Sequence, residues 1–157
     1  DLIKHALDRQ SRMATPFVRC NPAMAAMLRK AATEGQAGGT CVVTDRTGRA
    51  LYFSKYPVPF GAIEPLKMHI GLYAYTPEAL AQYSALPPSA PELAEGLEQL
   101  RFLDGGVAID LLELPLPDTG LWELNNPEDV PVIERALSTV TAADQSLFSP
   151  ISGTALM

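Results

Sequence analysis

Histidine and cysteine are scarce in this chain, with two of each in 157 residues. His5 and His69 stand far apart, which argues against a zinc site. Cys20 and Cys41 lie in separate strand-like segments without metal spacing. They read as buried thiols of a reducing compartment, not as a disulfide framework. Basic residues are outnumbered: 12 Lys and Arg face 18 Asp and Glu, a net charge of −6, and no basic run occurs. That excludes a non-specific nucleic-acid surface. No apolar stretch approaches the ~20 residues of a membrane span, so no membrane partner is expected. The glycine-rich run Gly35-Gln-Ala-Gly-Gly39 lacks the Lys-Ser/Thr of a phosphate loop and precedes a strand, the wrong order. No Ser or Cys sits in a nucleophile elbow. No secretory leader is expected either. Asp1-Leu-Ile-Lys-His-Ala-Leu7 reads like the middle of a protein, so a cytoplasmic fragment is expected.

What is present suits a soluble globular domain. Hydrophobic residues make up 47% and charged ones 19%. At this length roughly 70% of the unfolded chain's surface can be buried, which makes a core without staples. Residues 2–10 carry a helical apolar stripe. Met13–Cys20 reads as a strand that Pro16 confines to an edge or a bulge. Asn21-Pro22 caps and opens a helix. Thr40–Thr44 and Arg49–Ser54 form a hairpin through Asp45-Arg-Thr-Gly48. Lys55–Pro65, with Pro57, Pro59 and Pro65, is an irregular loop of a length that usually has a function. Thr76-Pro-Glu78 opens a helix to about Ala85. Ser89-Ala-Pro-Glu92 is a capping box that starts another, reaching about Leu103. Val107–Leu114 is a strand, and Asn126-Pro-Glu-Asp129 starts a last helix to about Ser138. The expected fold class is α/β with a mixed sheet. Residues 1–140 are read as the domain and 141–157 as a tail.

Residues 67–103 hold most of the functional information. Lys67–Tyr75 reads as one strand in which His69, Gly71, Tyr73 and Tyr75 alternate with Met68, Ile70, Leu72 and Ala74. One face then offers an imidazole, a gap at glycine and two phenols, which suits a polyhydroxylated ligand. Taken singly, each residue has a plainer reading. A lone strand histidine is more often structural, by about 3 to 1. Lone tyrosines are packing residues, and Glu98 and Gln99 on a helix are ordinarily solvated. Together, with Glu98-Gln99 on a helix fixed by a cap after Pro87-Pro88, they form a plausible hydroxyl-binding set.

Five motifs carry a family resemblance: Gly48-Arg-Ala-Leu-Tyr-Phe-Ser-Lys-Tyr-Pro-Val-Pro59, His69-Ile-Gly-Leu-Tyr-Ala-Tyr75, Leu86-Pro-Pro-Ser89, Leu97-Glu-Gln-Leu-Arg101 and Asn126-Pro-Glu-Asp129. In order and spacing they resemble the C-terminal part of 3-deoxy-manno-octulosonate (Kdo) cytidylyltransferase. The resemblance covers about residues 40–137, with a loose match in 1–20. It implies a Rossmann-like nucleotidyltransferase fold, part of it here as the sugar-binding and dimerisation region. It implies transfer of CMP from CTP to Kdo, giving CMP-Kdo and pyrophosphate for lipopolysaccharide synthesis, with Mg²⁺ as cofactor and a homodimer as the assembly. Carried over, His69, Tyr73, Glu98 and Gln99 fall where the family contacts the sugar. Lys55 stands where the family has Arg, keeping the charge but losing the bidentate fork.

Two departures qualify that implication. The family's triphosphate loop and its Gln-Gly-Asp-Glu-Pro motif have no counterpart in the sequence, so this chain alone is expected to be inactive. The family's second metal-binding Asp falls at Asn125, a weaker ligand for Mg²⁺. The alternative function is therefore a non-catalytic homologue that keeps the sugar pocket and the dimer surface.

Overall fold

The computed structural model describes residues 2–36, 38–61, 65–117, 121 and 130–138. Residues 1–115 form one compact unit, and residues from 116 onward fall in a second. Of the second unit, the described element is the final helix. The expected division at residue 140 and the tail after it lie outside the described residues.

The first unit runs α1 (Leu2–Asp8), β1 (Met13–Arg19), α2 (Pro22–Thr33), β2 (Cys41–Thr44), β3 (Ala50–Ser54), β4 (Lys67–His69), β5 (Ala74–Tyr75), α3 (Pro77–Ala85), α4 (Ala90–Glu95), α5 (Gln99–Asp104) and β6 (Ile109–Leu114). The helix of the second unit is α6 (Val130–Ser138). Among the described residues, six strands make one mixed sheet, ordered β3-β2-β4-β1-β5, with β6 on the other flank of β1. β1 runs parallel to β6 and antiparallel to β4 and β5.

The helix caps follow from the sequence. Asn21 accepts a hydrogen bond from the Met24 amide at 2.9 Å. Thr76 accepts from the Ala79 amide at 3.2 Å. Ser89 and Glu92 close a reciprocal box. The β2–β3 hairpin turns on Asp45, whose Oδ1 accepts from the Thr47 and Arg49 amides. Gly48 supplies the positive φ of +85°.

Three sequence expectations need correction. Pro16 does not confine β1 to an edge; β1 is the central strand. The Pro16 carbonyl accepts from the Ile70 amide at 3.0 Å, so its ring nitrogen faces the same flank. There the ladder is already interrupted between β4 and β5, and no donor is missed. Lys67–Tyr75 is not one strand, because residues 70–73 leave the ladder. The helix from Ser89 does not reach Leu103. Gly96 adopts a left-handed conformation (φ +63°) and ends α4, and α5 starts afresh at Gln99.

Two cores flank the sheet. Met13, Phe17, Ile109 and Leu111 pack with Phe53, Ala79, Leu100 and Phe102, which sets α3 and α5 against one face. Cys20, Cys41 and Leu66 pack with Ala25 and Leu28 of α2. Both cysteines are buried, as expected.

Candidate functional site

β1 holds the site together by register. Phe17 lies opposite His69 and Met13 opposite Tyr75. Six steps of the 69–75 chain thus face four steps of β1, so two residues are looped out. An even number preserves side-chain parity, and His69 and Tyr75 keep the same face despite the break. Phe17 and Met13 share that face with Thr15.

The rings follow one another across this face. Phe53 meets His69 edge-on at 5.1 Å between centroids. Tyr73 lies 5.4 Å from His69, and Tyr75 stacks on Tyr73 at 5.6 Å. Phe102 of α5 stacks on Tyr75 at 5.5 Å and on Tyr83 at 4.9 Å. Phe102 lies one helical turn beyond Gln99, so both share a face of α5.

The polar groups along this series are unusual. His69 is 7% exposed, with Nε2 2.8 Å from Thr15 Oγ1. Burial lowers its pKa to about 4, so the imidazole is neutral at pH 7. Tyr73 is pushed up to about 12, first by burial, then by Tyr75 and the charge of Glu98. Burial, Tyr83 and Glu98 raise Tyr75 as well. Glu98 therefore acts on both phenols from the N-terminal end of α5. Gln99 is 3% exposed, and its Nε2 has no hydrogen-bond partner. Among the described residues, the other buried side-chain nitrogen in that condition is His5 Nε2. Buried polar groups are almost always paired, so the unpaired Gln99 amide stands out on the face of α5 that also carries Phe102.

Lys55 reaches the same corner. Its backbone N–H donates to Glu95 Oε2 at 3.0 Å, and its Nζ lies 3.0 Å from where a Cβ on Gly96 would stand. A glycine at 96 thus serves both the left-handed turn and the approach of the ammonium. The structure brings His69, Tyr73, Glu98, Gln99 and Lys55 to one side of the first unit. Asn125 lies outside the described residues.

Sequence reasoning missed the supports of this site. Thr15 joins His69 to the looped segment by accepting from or donating to three groups. Glu92 is buried and receives Arg101 Nε on Oε2 at 2.7 Å, with a second bond from Nη2 to Oε1. Arg101 also lies over the Tyr83 ring at 4.2 Å. The fork clamps α5 to the capping box of α4 and so fixes Glu98 and Gln99. The signal was available: Glu92 and Arg101 both stand in the quoted motifs. The two described clefts, of about 500 and 450 Å³, lie elsewhere, along α2 near Arg29, and none of the predicted site residues lines them. His69 and Gln99 lie at the buried edge of this face, and the Tyr73 and Tyr75 rings are its partly exposed part.

No family model matches the chain. Individual relatives do. It is 46% identical over 100 residues to 3-deoxy-manno-octulosonate cytidylyltransferase of Chlorobium limicola, covering 61% of this chain and 39% of that protein. It is 38% identical over 133 residues to the Maricaulis maris enzyme of the same name, covering 81% of this chain and 51% of that protein. Over the matched stretch the chain is similar to the 3-deoxy-manno-octulosonate cytidylyltransferases. It spans about half the length, or less, of these relatives. A solved CMP:2-keto-3-deoxy-manno-octonic acid synthetase complexed with CTP superposes with a TM-score of 0.70 at 29% identity, over 87% of this chain and 54% of that one. The cytidylyltransferase fold, an α/β nucleotidyltransferase with a mixed sheet, is therefore the frame in which the His69 face sits.

Proposed function

We propose that this chain is the sugar-binding and dimerising part of a cytoplasmic cytidylyltransferase that transfers CMP from CTP to Kdo or a related 3-deoxy-2-ulosonate. In that reaction the anomeric hydroxyl of the sugar attacks the α-phosphate, forming the new P–O bond, and pyrophosphate leaves. The residues of this chain hold and orient the sugar. His69, neutral at pH 7, exchanges hydrogen bonds with hydroxyls without carrying charge. Gln99 Nε2 donates from a buried position. The Tyr73 and Tyr75 rings give the sugar's C–H face an apolar platform, and their protonated phenols offer donors. Lys55 supplies positive charge toward the ligand's carboxylate. Positioning of this kind is the larger part of catalysis in phosphoryl transfer.

The observation that carries the reading is the buried, unpartnered Gln99 amide beside the aromatic face. Mg²⁺ belongs to the proposal with Asn125 as its neighbour. Among the described residues no three His, Cys, Asp or Glu are arranged to hold a metal ion. Among them, too, no helix is long and apolar enough to cross a membrane. Asn125 in place of an acidic residue favours the second reading, a non-catalytic homologue with the same sugar site. Calorimetric titration of the chain with Kdo tests the shared claim. Saturable binding is expected, and absence of heat at millimolar Kdo would contradict both readings. Dimerisation is assigned to the edge strand β3 and the 69–75 segment. Light scattering that reports a monomer at high micromolar concentration would contradict it.

A further inference from the structure

Thr15 belongs to none of the motifs that mark the site, yet it stands at the site's centre. Its side chain is fully buried on the middle strand. Its Oγ1 lies 2.8 Å from His69 Nε2, 2.6 Å from the Leu72 carbonyl and 3.2 Å from the Ile70 carbonyl. A hydroxyl has one proton and two lone pairs, and a backbone carbonyl can only accept. Were the proton given to His69, both carbonyl oxygens would face hydroxyl lone pairs, one of them at 2.6 Å. The proton therefore goes to a carbonyl, and the shorter contact selects Leu72. The lone pair that faces His69 must then receive a proton, so the imidazole carries its hydrogen on Nε2. A neutral imidazole has one N–H, which leaves Nδ1 as a bare acceptor.

We propose that Thr15 is a positioning residue that locks His69 in the Nε2–H tautomer and so presents Nδ1 as an acceptor for a ligand hydroxyl. The same hydroxyl ties down the Leu72 carbonyl in the segment that displays Tyr73, so one side chain sets both the direction of the histidine and the place of its neighbour. An acceptor at Nδ1 takes an O–H and turns away a carboxylate or phosphate oxygen. His69 is thereby reserved for the neutral, hydroxylated part of a ligand. The hydroxyl half of this assignment rests on the sugar-site reading; the tautomer half stands on the geometry alone.

Long-range ¹H–¹⁵N spectra of the imidazoles of the ¹⁵N-labelled chain at pH 7 test it. For His69 the expected pattern is a pyridine-like Nδ1 and a pyrrole-like Nε2. Thr15→Ser keeps the hydroxyl and should keep that pattern. Thr15→Val removes it and should move both nitrogens toward averaged positions. A merely structural role for Thr15 would leave the tautomer untouched in the folded Val variant, and that result would overturn the proposal. So would a pyrrole-like Nδ1 in the unmodified chain, which needs no variant to fold. Kdo added to the unmodified chain should then shift Nδ1. If Kdo leaves Nδ1 unmoved while the tautomer is as stated, the hydroxyl half and the sugar-site reading fall, and the role of Thr15 in fixing the tautomer stands.

Discussion

Two buried polar clusters lie in the same unit, and they are built on opposite plans. In the first, Asp110 of β6 accepts from Ser11 Oγ at 2.7 Å and from Arg9 Nε at 2.8 Å, with Arg49 Nε at 3.6 Å. Every charge there is answered. In the second, His69 has one partner on one ring nitrogen, and Gln99 Nε2 has none. A satisfied cluster stabilises the fold and has no capacity left for a ligand. An unsatisfied one costs stability, because a buried donor without a partner loses its hydration for nothing. On the proposed reading the difference separates a structural joint from a sugar-binding face, and mutation and pH should separate them too.

The largest effect is expected at Asp110. Asp110→Ala leaves a buried hydroxyl and two guanidiniums without their acceptor. Since both arginines are partly exposed and can rehydrate, the loss should be about 2–4 kcal/mol in chemical denaturation. Kdo affinity of the folded fraction should stay within about twofold, because nothing in this joint faces the ligand. A large affinity loss at unchanged stability would erase the contrast between the clusters.

A pH series comes next. The folded chain holds His69 near 4 where the unfolded chain has 6.5, so the folded state binds fewer protons between those values. Stability is full above pH 6.5 and declines as the pH falls toward 4, by up to about 3 kcal/mol. Asp110 acts in the same direction at lower pH. Burial pushes its carboxyl up, but hydrogen bonds from Ser11 and Arg9 and the nearby guanidiniums outweigh that and hold it below the ordinary carboxylate value. Its contribution is present above that ordinary value and is lost only as the pH falls further. The binding face should weaken first on acidification and the joint later. His69→Phe should remove the upper part of the slope; a slope that persists would place it in other groups.

Gln99→Leu should sharpen the comparison most cleanly. Removing an unpaired buried amide should raise stability by about 1 kcal/mol, while Kdo affinity falls at least about tenfold. Loss of both would mean that the amide is paired in solution. The smallest effect is expected from Lys55→Arg. An exposed cation changes stability by only a few tenths of a kcal/mol, and the fork of Arg should improve Kdo affinity by about two- to threefold, read by calorimetry.

Much of this was legible in the sequence. Caps at Asn21, Thr76 and Ser89 carry their own chemistry, and the structure forms each of them. The hairpin at Asp45–Gly48 and the mixed sheet are local or compositional signals of the same kind. The misses are tertiary. Pro16 reads as an edge residue until the opposite strand is seen to break in front of it. Residues 70–73 alternate like a strand, and only the register of β1 shows that two of them loop out. The expected helix from Ser89 to about Leu103 runs through Gly96, which the structure instead places in a left-handed turn that ends α4. Thr15 lies only in the loose match of residues 1–20, and its role exists only where three distant groups meet.

The central proposal is that the Gln99 amide, left without a protein partner, is there for a sugar. The most direct measurement follows the Gln99 side-chain amide signals of the ¹⁵N-labelled chain during titration with Kdo, with the Ser11–Asp110 joint as internal reference. The account predicts that the Gln99 NH₂ signals shift saturably and exchange more slowly with water as the donor acquires a partner, while the backbone amides of Ser11 and Asp110 stay in place. Gln99 signals unmoved at saturating Kdo, or shifts confined to the Asp110 joint, would contradict it.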